Sequence, residues 1–170
     1  CTAVPGLPAP FTAVQLLFIN LHTDSLPAIA ISTEKADRSL LSQKPRDSKS
    51  SFLTKAMSLR IVAGGVLIAL AVMSAYFIGS AVSAGLACAM AFTTLCVARH
   101  FHGFNCRGDK SLFSLGITTN KFSLLAFFAG IVLLCRAVFI PGVSDLFGTQ
   151  IMNAGNFGIS LLLGFAPTFL

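Results

Sequence analysis

The chain has 170 residues, 55% of them hydrophobic and only 11% charged, with a mean hydropathy of +0.82 and a formal net charge of +6. Charged residues at less than half the usual share of about 25% exclude an ordinary soluble domain, and the composition predicts an all-α membrane protein. Five cysteines, Cys1, Cys88, Cys96, Cys106 and Cys135, form no Cys-x-x-Cys pair and have no Cys/His spacing suited to zinc, so free thiols in or beside apolar spans are expected. The sequence opens on Cys1 without the basic and short apolar segments of a signal peptide, and closes inside the apolar run "GISLLLGFAPTFL". Both ends are therefore expected to be truncated within a longer polypeptide.

A helix rises about 1.5 Å per residue and the hydrocarbon core is about 30 Å thick, so one crossing takes roughly 20 apolar residues. The first span is predicted over 13–31, followed by a polar, Ser- and Lys-rich loop over 32–58 whose end leads helically into the next span. From Ile61 to Ala98 no residue is charged, and these 38 residues would make a helix of roughly 57 Å, nearly two bilayers. Gly79 and Ser80 in "FIGSAVS" mark the break, which gives spans over 59–78 and 82–104. A loop over 105–121, a fourth span over 122–140 and a fifth over 151–170 complete a bundle of five transmembrane helices.

Orientation follows from the basic residues, which are retained on the cytoplasmic side. Seven Lys and Arg residues from Lys35 to Arg60 fill or flank the first loop, and Arg107, Lys110 and Lys121 fill the next, whereas 1–10 and 141–150 carry only Asp145. The first and fifth spans therefore run inward, in a multi-pass cell-membrane protein. The positive charge faces anionic headgroups, so membrane lipid is the expected partner and nucleic acid is not. Arg136, near the outer end of the fourth span, is expected to snorkel outward. Ala81, Gly85 and Ala89 recur every four residues, a spacing that brings membrane helices close.

The first span carries the chemistry. In "FINLHTDSLPAIAI", Thr23, Asp24 and Pro27 lie three, four and seven residues after Asn20, so all four share one face of an α-helix. Asp24 is the only acidic residue in any predicted span, and a carboxylate at mid-bilayer costs about 2.5–3.5 kcal/mol, which marks it as a functional group. Pro27 has no N–H for the carbonyl of Thr23 and leaves it free beside Asp24. A carboxylate, an amide oxygen, a hydroxyl and a freed carbonyl are hard oxygen donors suited to calcium and similar cations, and broken helices at mid-membrane are a recurrent transporter site. His22 falls off this face and reads as a packing or hydrogen-bonding residue, while His100 and His102, close to Arg99, read as interfacial packing residues, with a pH-sensing role as the alternative.

These residues resemble a family. "PFTAVQLLFINLHTDSLPAIAI" looks like the sixth transmembrane helix of P-type cation-transporting ATPases of the calcium-pump branch, matching at Gln15, Asn20, Leu21, Thr23, Asp24, Ser25, Leu26 and Pro27. "AMAFTTLCVARHFHGFNCR" is similar to the eighth helix of bacterial members, and "SLFSLGITTNKFSLLAFF" to the loop and ninth helix that follow.

The resemblance implies family helices six to ten of a pump in the bacterial plasma membrane that hydrolyses ATP, with Mg2+, through an aspartyl phosphate and exports Ca2+. It implies that Asn20 and Asp24 coordinate the ion and that Thr23 serves a second ion site. At the eighth-helix position where two-ion members carry a glutamate, this sequence has Arg99, which cannot ligate a cation. Two readings of Arg99 stay open: a fixed internal charge replacing the second site, giving one ion per cycle, or a side chain snorkelling to the headgroups. The phosphorylation motif Asp-Lys-Thr-Gly and a nucleotide loop are absent from these 170 residues, "DKSL" at Asp109 being no version of the former. The resemblance also places the helices that supply the remaining calcium ligands before this chain, which alone is thus expected neither to hydrolyse ATP nor to bind calcium tightly, nor to hold ATP or Mg2+, its partner being the remainder of the same pump polypeptide. Competing readings are a secondary ion transporter using Asp24, a pump for Mn2+ or Na+, and a bundle with no transport role.

Overall fold

A computed structural model describes residues 9–25, 28, 32, 53–105 and 121–169. Pro27, Cys1, Cys106, Asp109 and most of the two basic loops lie outside the described residues. Every regular element among those described is helical. Helix α1 (Ala13–Phe18) continues as a π-helical segment (Ile19–Asp24). Helices α2 (Lys55–Ser80) and α3 (Ala84–Asn105) form a hairpin, followed by α4 (Lys121–Phe139), the short α5 (Val143–Phe147), α6 (Ala154–Phe165) and a 3-10 turn (Ala166–Phe169).

The expected break at Gly79 and Ser80 is where α2 ends. Helix α2 starts four residues before the predicted span because Thr54 caps it, its hydroxyl accepting from the Met57 amide at 3.2 Å. Among the described residues two helices are long and apolar enough to cross a bilayer, Met57–Ser80 and Ala84–Gly103, while the apolar part of α4, Leu124–Phe139, is shorter. Helix α6 is capped by Asn153, whose side chain accepts from the Asn156 amide at 2.8 Å, leaving Ile151 and Met152 outside the helix where a span was expected to begin. Helix α5 lies in a segment expected to be loop. It is bracketed by Gly142 and Gly148, whose φ values of 84° and 63° are open to glycine at little cost.

Helix α3 is the centre of the bundle. Of its apolar window 67% is buried inside the protein, against 22% for α2. Met90, Phe92, Cys96 and Val97 of α3 share one core with Ile19, Ala75, Leu134, Ala137, Val138 and Met152. The small residues that bring α2 and α3 together are Ala87 and Ala91, packed on Val72 and Tyr76. The expected stripe is split: Ala89 is buried, Gly85 abuts Gln150, and Ala81 lies exposed in the turn. A third close approach joins α6 to α3, where Gly164 faces Val97 and the Thr94 carbonyl, and the Thr94 hydroxyl donates to the Ser160 carbonyl at 3.4 Å.

The tightest backbone-to-backbone approach at a glycine is Gly79 on α3. A Cβ there would lie 2.6 Å from Ala87 Cα, 2.8 Å from its nitrogen and 2.9 Å from the Leu86 oxygen, all backbone atoms that cannot step aside. Gly79→Ala should therefore destabilise the protein by about 1–3 kcal/mol through overpacking, outweighing alanine's better helix propensity. The check is a lowered melting temperature in detergent. Gly65→Ala is the control, since nothing lies within 4 Å of its Cβ and no loss is expected.

Candidate cation-binding segment

The first helix starts with a reciprocal cap. Gln15 N donates to Thr12 Oγ1 at 3.2 Å, and Thr12 N donates to Gln15 Oε1 at 2.9 Å, satisfying two of the amides that a helix start leaves open. The same two side chains reach the end of α5: Gln15 Nε2 donates to the Phe147 carbonyl at 2.9 Å and Thr12 Oγ1 at 3.2 Å. One turn on, Phe18 packs edge-on to Phe147 at 5.2 Å and against Phe92 of α3 at 5.6 Å. Nearby, Cys88 Sγ donates to the Ala9 carbonyl at 3.6 Å and the Ser83 hydroxyl bonds Gln150. The N-terminal ends of α1 and α3 and the α5 loop are thus tied together at one end of the bundle, and α1 and α3 run in the same direction.

Directly after Phe18 the helix widens. A π turn closes its hydrogen bonds over five residues instead of four, and such turns inside helices recur at functional sites. The backbones of Asn20, Thr23 and Asp24 all lie in it. Positions four and five apart line up in this register, so Asn20 and Asp24 stay in line and Ser25 joins them; the Ser25 hydroxyl donates to the Asn20 carbonyl at 3.4 Å. Asn20 is exposed and Ile19 is buried. The side chains of His22, Thr23 and Asp24 lie outside what is described, as does Pro27. Sequence periodicity shows the polar face but not the π register, which no residue pattern marks.

The π segment packs against α3. Arg99 is half-buried and lies two turns beyond Phe92 on the same face of α3, the face that meets Phe18. His100, next to it, is buried against α4: its Nδ1 donates to the Cys96 carbonyl at 2.7 Å, and its ring occupies the space a Cβ on Gly130 would need. His102 is exposed. Arg136 is exposed near the end of α4, beside an apolar groove that includes Ile131, Phe139 and Ile140. Cys88, Cys96 and Cys135 form no disulfide among the described residues. Among the described residues no three His, Cys, Asp or Glu side chains gather as a metal site.

Described residues that are all helical in their regular elements, with two helices of bilayer length and a short first helix that continues as a π turn through Asp24, have the build of a membrane protein. Residues 8–170 match the family described as cation transporting ATPase, C-terminus, and the chain belongs to that family. It is 40% identical over 143 residues to a calcium-transporting ATPase of Listeria monocytogenes, covering 81% of this chain and 16% of the relative. It is 37% identical over 149 residues to calcium-transporting ATPase 1 of Lactococcus lactis, covering 85% and 16%. It is 29% identical over 168 residues to the calcium-transporting ATPase of Bacillus subtilis, covering 97% and 19%. The chain thus spans less than a fifth of the length of these curated relatives.

Proposed function

We infer that the chain is the membrane-embedded, ion-binding part of an ATP-driven pump that exports Ca2+ across a bacterial plasma membrane. The observation that carries this reading is the π turn at Ile19–Asp24, set on the Asn20 to Pro27 sequence in a chain of this family. Asn20 and Asp24 hold the ion, with Thr23 beside them. Calcium is preferred over Mn2+ or Na+ because the relatives named above are calcium-transporting ATPases. Five crossings, family helices six to ten, fit the oxygen-donor segment at mid-membrane and the basic loops in the cytoplasm. ATP and Mg2+ act on other domains of the same polypeptide, because no aspartyl-phosphate motif lies in these residues. Membrane lipid and the rest of that polypeptide are the partners, and the exposure of Asn20 agrees with further ligands arriving from it.

Arg99 takes the place of a second ion. Phe18 and Phe92 touch, α1 and α3 run in the same direction, and Asp24 lies six residues beyond Phe18 while Arg99 lies seven beyond Phe92. Both backbones therefore lie on the same side of that contact, six and seven residues deeper into the bundle. The pump then carries one calcium per cycle. The first test is the reading frame upstream of Cys1: an Asp-Lys-Thr-Gly motif is expected a few hundred residues earlier, and its absence would refute the pump reading.

A further inference from the structure

Gln15 is fully buried, an expensive place for an amide unless each polar atom finds a partner. Here the partners are divided between two parts of the chain. Its oxygen serves the start of its own helix through Thr12 N, and its nitrogen reaches 132 residues along the sequence to the Phe147 carbonyl. A cap alone needs only the first of these bonds.

The acceptor is itself held firmly. Phe147 closes α5 just before left-handed Gly148, whose amide donates to the Asp145 carbonyl at 3.1 Å. Thr149 N donates to the Ser144 carbonyl at 3.0 Å, and its buried hydroxyl approaches the Ser144 and Ala137 carbonyls at 3.2 and 3.4 Å. The α5 loop is thereby fastened to the end of α4. Phe147 then grips two successive turns of the first helix, Gln15 through its carbonyl and Phe18 through its ring. The residue after Phe18 opens the π segment.

We propose that Gln15 is a positioning residue for cation binding. Its bond to the Phe147 carbonyl fixes the rotation and depth at which Ile19–Asp24 begins, and so the register in which Asn20 and Asp24 present their oxygens. The proposal rests on the pump reading above and adds a determinant of affinity outside the ligand set. A ligand shell tolerates little misplacement, so loosening the helix one turn away should weaken the ion without touching the phosphorylation chemistry.

The test uses the full-length polypeptide in membranes, titrating calcium and ATP separately for phosphoenzyme formation in the parent, Gln15→Leu, Gln15→Glu and Thr12→Val. Gln15→Glu keeps the shape and the cap acceptor but loses the donor to Phe147. Loss of one such bond should raise the half-saturating calcium concentration about three- to tenfold in both Gln15 variants, and about threefold in Thr12→Val. Half-saturating ATP and the maximal phosphoenzyme per inserted protein should stay at the parent values. Unchanged calcium half-saturation in inserted Gln15 variants overturns the proposal. Failure of every variant to insert overturns it as well, by assigning Gln15 to folding. A parent that shows no calcium-dependent phosphoenzyme refutes the pump reading itself, and the proposal with it.

Discussion

Asp24→Asn in the full-length pump should abolish cation-dependent phosphorylation by ATP while leaving the protein inserted in the membrane. The substitution keeps an oxygen and the size of the side chain but removes the only acidic charge in the apolar spans. A unit charge pair at about 4 Å is worth about 4 kcal/mol at an effective dielectric of about 20, which corresponds to roughly a thousandfold in affinity. A divalent ion feels that loss twice over, so micromolar calcium would no longer fill the site. Insertion should be unaffected or improved, because the asparagine is less costly at mid-bilayer than a carboxylate. The measurement is phosphoenzyme level against free calcium, normalised to inserted protein. Calcium activation retained at the parent's concentration would make Asp24 a structural residue.

The features legible in the sequence are those written in composition and local spacing. An uncharged run from Ile61 to Ala98 can only be a hairpin, and a Gly-Ser pair at its middle placed the turn that the structure shows after Ser80. The acidic residue beside a proline in an oily helix stood out for the same reason: its cost is local and visible. What stayed hidden depends on contacts far apart in the chain. Gln15 appeared only as one matched position in a motif, whereas its burial and its bond to Phe147 arise because α5 folds over the start of α1. Helix α5 itself is five residues long and ends on glycines, so no hydrophobic period announces it. The regular four-residue spacing of Ala81, Gly85 and Ala89 suggested one contact face, but Ala81 was spent on the turn and the close contact passed to Gly79 and Ala87. The π turn is invisible for a related reason. Widening by one residue alters hydrogen bonding without altering which residue types the segment needs.

Arg99→Glu should raise the calcium bound per phosphoenzyme from one in the parent to two. A guanidinium offers donors only and keeps its charge, so it can fill the position of a cation but never ligate one. Next to a divalent ion at about 4 Å it would oppose each unit of charge by about 4 kcal/mol at an effective dielectric of about 20, which is enough to keep a second ion out at any calcium concentration in the cell. Its half-buried setting on the α3 face that carries Phe92, the face that meets Phe18 of the first helix, would give that repulsion a short range to act over. Were it to stand beside Asp24, the same fixed charge would lower the cost of a lone carboxylate among apolar helices when no calcium is bound. Replacing Arg99 by glutamate reverses both effects, removing the barrier and adding a ligand. If the side chain instead reaches the headgroups, the substitution leaves the count at one and the calcium affinity where it was. A count of two in the parent would rule out Arg99 as the occupant of the second site, because a guanidinium and a second calcium cannot share it.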